Sequence, residues 1–147
     1  MATTRVQITA SPDDVFAVLA DPDTYGHWVV GSDTIRDADL SWPEVGSRFH
    51  HRVGFGLLRL NDHTEVLEAD PPHRLVLRAR ARPLATAEIT FLLSAHDHGT
   101  EVTMIETAGD KLSRLVFNPF TDPLVHLRNV ESLRRLRRMA EGRTVSR

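Results

Sequence analysis

Cysteine is absent from the chain, and so are long apolar runs and a strong excess of charge of either sign. Without cysteine the chain has no disulfide, no thiol nucleophile and no thiolate metal site. No apolar run approaches the roughly 20 residues that cross a bilayer, so we expect no membrane span. The first segment, MATTRVQITA, lacks the basic region and apolar core of an export signal. We therefore expect a cytoplasmic protein.

Charge and length narrow the function classes further. The formal net charge is -2, which gives no field that favours nucleic acid. Arginines occur on one predicted sheet face, at Arg78, Arg80 and Arg82, and in the helix run RRLRR at 134–138. Arg128 also lies on the polar arc of that last helix, which is expected to face water. These arginines lack interleaved aromatic residues, so we interpret both sets as solvated faces and expect no nucleic-acid partner. The 147 residues, 41% of them hydrophobic, suit one globular domain over residues 1–147.

Apolar positions recur at period two through most of the chain and at helical spacing near its two ends. The segments with strand periodicity are 4–9, 34–40, 47–55, 58–66, 75–81, 88–93 and 100–107. Two short helices follow the first strand, and a long amphipathic helix covers about 121–141. The pattern predicts an α+β fold, in which a curved antiparallel sheet of about seven strands has its apolar face covered by the C-terminal helix.

The stretch SPDDVFAVLADPDTYGHW at residues 11–28 contains four aspartates, which could suggest a carboxylate site. The sequences S-P-D-D and D-P-D match a helix start position by position. Each offers a side chain that caps the backbone, a proline in the first turn and an acidic residue at the positive end of the helix dipole. We interpret Ser11 and Asp21 as N-caps, so the chemistry is expected elsewhere.

Small residues occur where large apolar ones would close the core. Ala79 and Ala81 lie on the predicted apolar face of the sheet, and Asn129 and Ser132 lie on the helix face that covers it. We therefore expect a cavity between the sheet and the long helix.

Polar side chains are also predicted on the inward face. Alternation places His51, Asp62 and Glu106 on the apolar side of the sheet, and the helical spacing places His126 and Asn129 on or near the covering helix face. Two interpretations stay open. The groups pair with one another or with water and have no further role, or they orient a ligand and act as general acid and base, for which histidine is best suited near neutral pH.

Five stretches, which together cover nearly the whole chain, are typical of one fold. They are ITASPDDVFAVLADPDTYGHWV, WPEVGSRF, EADPPHRLVLRA, ITFLL with HGTEVTMIE, and RNVESLRRLRRMAEG. The chain resembles the START-like helix-grip superfamily, also labelled SRPBCC, and most closely its polyketide cyclase/dehydratase branch. The resemblance implies a deep apolar pocket between sheet and long helix. Different members use this pocket to bind lipids, hormones or polyketides, and some use it for cyclisation or dehydration.

A hydrophobic small molecule, lipid-like or polyketide-like, is the partner that this resemblance implies. The residues expected to contact it are Phe49, Leu77, Ala79, Phe91, Met104, His126, Asn129 and Leu133. Tyr25 and Trp28 lie in the second helix, which borders the pocket mouth in this fold, and either stack on the ligand or pack at the edge of the core. The alternative is a polyketide cyclase-like or dehydratase-like enzyme, in which His51, Asp62 or Glu106 transfers protons.

No cofactor and no metal are expected. Adjacent side chains of a strand point to opposite faces, so His50 and His51 cannot share one metal ion. A third, separate hypothesis is a homodimer contact, because Leu124, Leu127 and Val130 lie among the polar residues on the solvent side of the last helix.

Overall fold

The computed structural model describes residues 2–29, 32–55, 58–81, 85–109 and 122–145. Its elements, in chain order, are β1 (Ala2–Ile8), α1 (Pro12–Leu19), a 3-10 turn (Pro22–Thr24), α2 (Tyr25–Trp28), β2 (Ser32–Ala38), β3 (Arg48–Phe55), β4 (Leu58–Asp70), β5 (Arg74–Ala81), β6 (Ala85–His96), β7 (Gly99–Ala108) and α3 (Asp122–Val145). None of the described helices is long and apolar enough to cross a membrane.

The strands form one curved antiparallel sheet in the order β1-β7-β6-β5-β4-β3-β2. Strands that follow one another in sequence are neighbours, except that β1 pairs with β7, from Ala2↔Glu106 to Ile8↔Thr100. The predicted α+β arrangement of an antiparallel sheet and one long C-terminal helix is confirmed. The strand ends were predicted less well, since β4 and β6 run on to Asp70 and His96.

The aspartate-rich segment forms helix starts, as predicted. Ser11 Oγ accepts a hydrogen bond from the backbone N–H of Asp14 at 3.2 Å, and Asp21 Oδ1 accepts one from that of Asp23 at 3.0 Å. The second predicted helix differs from expectation, because it consists of the 3-10 turn and the single turn of α2 rather than one continuous helix. These aspartates therefore serve the backbone.

Burial alternates along the strands, as a period of two requires. In β7 the side chains of Thr100, Val102, Met104 and Glu106 are buried, and those between them are partly exposed. The buried side of the sheet carries most of the hydrophobic core, so it is the inward face, and the polar residues predicted there lie in the interior.

Helix α3 extends four residues beyond the predicted end at Glu141, to Val145. Its buried positions repeat at helical spacing and are Asn129, Ser132, Leu133, Leu136 and Ala140. Among the described elements, α3 makes most of its contacts with β1, α1 and α2. The helix therefore lies over the β1 side of the sheet and over the short helices.

Candidate functional site

A row of alanines crosses three neighbouring strands on the inward face. Ala79 of β5 pairs with Ala87 of β6, and Ala87 pairs with Ala108 of β7. Each continues the inward set of its strand, as Leu77 does in β5 and Glu106 in β7. We call Ala79, Ala87 and Ala108 the alanine floor. Their methyl groups fill little of the space above the sheet, so little side-chain volume covers this part of the inward face.

A buried carboxylate lies beside one end of the alanine floor. Glu106 is only 2% exposed, and its charge is compensated by Arg128 of α3. Nη2 of Arg128 donates to Glu106 Oε2 at 2.6 Å and also contacts Oε1. Asn129 Nδ2 donates to Glu106 Oε1 at 3.1 Å. A carboxylate taken out of water needs such partners, because desolvation without them is costly.

Arg128 lies closer to the interior than its place on the polar arc of the helix predicts. Its side chain is 37% exposed, and the charged end reaches inward to Glu106. At about 100° per residue, Arg128 and His126 lie on opposite sides of Asn129 around the helix. Asn129 contacts Glu106 of β7, and His126 contacts Thr4 of the edge strand β1. Arg128 therefore approaches Glu106 from the side of β6, where the alanine floor lies.

Arg128 is thus only partly solvated, and its contact with Glu106 was not predicted from the sequence. One signal was present, because a carboxylate predicted on an apolar face requires a cation nearby. Helical spacing gives only the direction of the Cα–Cβ bond, and that direction places Arg128 on the polar side of the helix. The arginine side chain is long enough to reach around the helix to Glu106.

His126 is placed differently from its prediction as a ligand contact. The residue is exposed, and its Nδ1 lies 3.3 Å from Thr4 Oγ1. Since β1 is an edge strand of the sheet, His126 sits at the outer margin of the helix–sheet contact. Asn129 and Leu133, by contrast, are each 1% exposed and face the interior.

A second polar group lies on β3 and β4. His51 and Asp62 are register partners and are 4% and 6% exposed. His51 Nε2 lies 3.0 Å from Thr64 Oγ1, and Asp62 Oδ1 accepts from the backbone N–H of His63 at 2.9 Å. Thr64 is the register partner of Ala79, so this group borders the other end of the alanine floor.

The three candidates for proton transfer, His51, Asp62 and Glu106, therefore lie in two separate groups along the sheet. Asp62 lies on β4 and Glu106 on β7, three strands apart, which is about 14 Å along the sheet. The structure brings His51 together with Asp62 and Thr64, and Glu106 together with Arg128 and Asn129. Strand alternation placed each residue on the correct face but carried no information about which strands are neighbours.

Tyr25 and Trp28, for which a pocket mouth and the core edge were both left open, are 3% and 0% exposed and belong to the core. Their contact with a ligand stays a prediction. Their rings lie 4.9 Å apart, and Tyr25 also lies 4.9 Å from Phe49. Trp42, which was not predicted, joins this cluster with its ring 4.7 Å from Phe49. Tyr25 Oη donates to the carbonyl oxygen of Leu19 at 2.7 Å. Burial, with the charge of Asp21 as a smaller cause, raises the pKa of Tyr25.

The remaining predicted ligand contacts are apolar. Leu77, Phe91 and Met104 are 2%, 1% and 4% exposed and belong to the core. Leu77 lies in the register row next to the alanine floor, and Phe91 and Met104 lie one row farther along the strands. Ala79 keeps partial exposure on the inward face, as does Ile89 in the neighbouring strand. Within the part of the chain that the structure describes, no three His, Asp or Glu side chains are grouped so that they could hold a metal ion.

One protein family and several solved structures match this chain. The family described as "Polyketide cyclase / dehydrase and lipid transport" matches residues 2–141. No curated protein matches the chain.

Solved structures match it over nearly its full length. A protein from Nitrosomonas europaea has a TM-score of 0.73 at 17% identity, over 97% of this chain and 95% of that one. StfQ, a di-domain ARO/CYC from the steffimycin biosynthetic pathway, has a TM-score of 0.74 at 12% identity, over 97% of this chain and 50% of that one. DynU16, a protein in the dynemicin biosynthetic locus, has a TM-score of 0.64 at 17% identity, over 95% and 46%. At these identities the likeness shows the fold alone.

Proposed function

The chain belongs to the polyketide cyclase/dehydrase and lipid transport family, and we propose that it binds a hydrophobic small molecule between the sheet and α3, above the alanine floor. The observation that carries the proposal is the alanine floor itself, in which neighbouring strands place the smallest inward side chains opposite one another. A well-packed interior would place larger side chains here, since cores are filled to near crystal density.

The position of α3 supports the same proposal. The helix makes most of its contacts with β1, α1 and α2, whereas the alanine floor lies on β5, β6 and β7. A helix held at one edge of the sheet and small residues on the neighbouring strands together favour a space between them. Binding pockets are of this kind, mostly apolar with a few polar groups that fix orientation.

The surroundings of the alanine floor would suit a flat or branched apolar ligand. Leu77 and Ile89 supply apolar packing in the neighbouring register row, with Phe91 and Met104 one row farther, and the two polar groups lie at the ends of the floor. The floor extends from Ala79 on β5 to Ala108 on β7, which is about 10 Å along the sheet. A two-ring or three-ring aromatic compound, or a short acyl chain, is of comparable length.

Filling the space provides the test. Ala87→Leu places a larger side chain at the centre of the floor, so it should abolish saturable binding of 2-acetylnaphthalene measured by calorimetry. Thr107→Leu is the matched control, because residue 107 alternates with the inward set of β7 and lies on the other face. Unchanged binding in Ala87→Leu, with the melting temperature retained, would contradict this placement of the ligand.

A second candidate function is catalysis, and one observation favours it. His51 is buried, lies 3.0 Å from Thr64 Oγ1, and has Asp62 as its register partner. A histidine beside a hydroxyl and a carboxylate is suited to general base catalysis on a substrate such as a β-keto thioester. If the protein is such an enzyme, His51→Ala should remove turnover of an aryl β-keto thioester while leaving its binding intact. A wild-type protein with no turnover above the uncatalysed rate would exclude this candidate for that substrate class.

A further inference from the structure

The ion pair between Glu106 and Arg128 leaves part of the arginine available. The nitrogens of Arg128 that donate hydrogen bonds are Nε and Nη2, to Glu106 and to Asn129 Oδ1. The third nitrogen, Nη1, makes no hydrogen bond to any residue that the structure describes. A guanidinium group has five N–H donors in a fixed plane, so the contacts with Glu106 hold the group still while Nη1 keeps two donors.

The position of Arg128 turns these donors toward the proposed ligand site. Its side chain approaches Glu106 from the β6 side of the helix, as its place relative to His126 and Asn129 shows. Ile89 of β6 is the register partner of Glu106 and keeps partial exposure. The side chain of Arg128 is itself 37% exposed, so the arginine is not fully enclosed by its contacts with Glu106 and Asn129.

The charge balance restricts which group can bind there. Glu106 carries one negative charge and Arg128 one positive charge, so the pair is neutral as it stands. A carboxylate placed at Nη1 would lie a few ångströms from the buried carboxylate of Glu106, and the two would repel each other. A neutral carbonyl oxygen accepts the same hydrogen bonds without that repulsion.

We infer that Arg128 Nη1 binds a neutral carbonyl oxygen of the ligand, an inference that rests on the proposed function. Glu106 holds the guanidinium in place and disfavours ligands that end in a carboxylate. The ligand class is therefore an apolar ketone, ester or thioester. Arg128 acts as a specificity residue, and Glu106 and Asn129 act as positioning residues.

Three probes of one shape test this inference: 2-acetylnaphthalene, which has the carbonyl, 2-ethylnaphthalene, which lacks it, and 2-naphthoate, which carries a carboxylate. We expect wild-type protein to bind the ketone about tenfold or more tightly than the hydrocarbon, the range of a hydrogen bond to a charged donor. In Glu106→Gln the affinity for 2-naphthoate should rise by about tenfold, because a nearby negative charge has been removed.

The decisive comparison is between Glu106→Gln and the double variant Glu106→Gln/Arg128→Met. Both lack the buried negative charge, so the double variant does not fail to fold because of an unpaired carboxylate, and a thermal melt checks this. We expect the double variant to bind the ketone and the hydrocarbon within about twofold of each other. Arg138→Met, at an exposed position of the same helix, should keep the wild-type preference.

The outcomes separate the inference from the proposed function. If the double variant keeps the tenfold preference for the ketone, or if Glu106→Gln leaves the affinity for 2-naphthoate unchanged, the role given to Arg128 and Glu106 is wrong while binding above the alanine floor stands. If none of the three probes binds the wild-type protein, the proposed function itself is overturned for aromatic ligands of this size.

Discussion

Removing Arg128 should destabilise the protein more than neutralising Glu106, although the two residues form one ion pair. The reason is the difference in their exposure. The side chain of Glu106 is 2% exposed and that of Arg128 is 37% exposed. In Arg128→Met the carboxylate stays buried without a cation, whereas in Glu106→Gln the arginine can turn partly into water.

The magnitudes lie between two known limits. Removing one partner of a fully buried pair costs about 3–5 kcal/mol, and exposed pairs contribute about 0–1 kcal/mol. Since one partner is buried and the other is not, we expect Arg128→Met to lower the free energy of unfolding by about 2–3 kcal/mol and Glu106→Gln by about 1 kcal/mol. For a domain of this size the first change corresponds to a fall in melting temperature of about 4–12 °C.

Urea denaturation of wild type, both single variants and the double variant measures these values in one cycle. The double variant should be more stable than Arg128→Met, because it no longer buries an unpaired charge. If Arg128→Met loses less than about 1 kcal/mol, or if Glu106→Gln is the more damaging change, then Glu106 is not held in the way described and the reasoning fails.

Three further predictions concern the aromatic cluster and the helix surface. Tyr25 is the sole tyrosine, and burial raises its pKa, so the absorbance of tyrosinate should be missing at pH 10 to 11 in the folded protein. Because the unfolded chain releases this proton at lower pH than the folded protein does, the free energy of unfolding should fall as the pH rises above about 10. A normal titration of the folded protein would refute the burial of Tyr25. Trp28→Ala should cost about 3–5 kcal/mol in a chemical unfolding experiment, since Trp28 is fully buried, and a cost below 1 kcal/mol would mean that it does not pack as described. Leu124 and Leu127 are 69% and 65% exposed, as the homodimer hypothesis requires. Light scattering at micromolar concentration should then give the mass of a dimer, and Leu127→Asp should reduce it to that of a monomer. A monomeric wild type would contradict the hypothesis.

Most of the fold was predictable because it depends on local periodicity. Alternation identifies the inward face of a strand without knowledge of its neighbours, which is why the burial of His51, Asp62 and Glu106 was predicted correctly. The caps at Ser11 and Asp21 were equally accessible, since each depends on residues no more than three positions apart.

The composition of the site was less predictable, because it depends on which elements are neighbours. The local apolar pattern does not indicate that β1 pairs with β7. This pairing places Glu106 near the edge of the sheet, under α3. The reach of Arg128 around the helix was missed for a related reason, since a wheel describes the Cα–Cβ direction and not the length of the side chain. For Tyr25 and Trp28 the pocket rim and the core edge both stayed open, because a short amphipathic segment does not reveal what covers it.

The central claim is that a hydrophobic ligand binds above the alanine floor, and methyl NMR of alanine-labelled protein tests it most directly. On titration with 2-acetylnaphthalene, the methyl signals of Ala79, Ala87 and Ala108 should shift in a saturable way, while those of Ala10 and Ala140, which are buried elsewhere in the core, should stay in place. Shifts confined to other alanines, or no saturable shift at any methyl group, would contradict the claim.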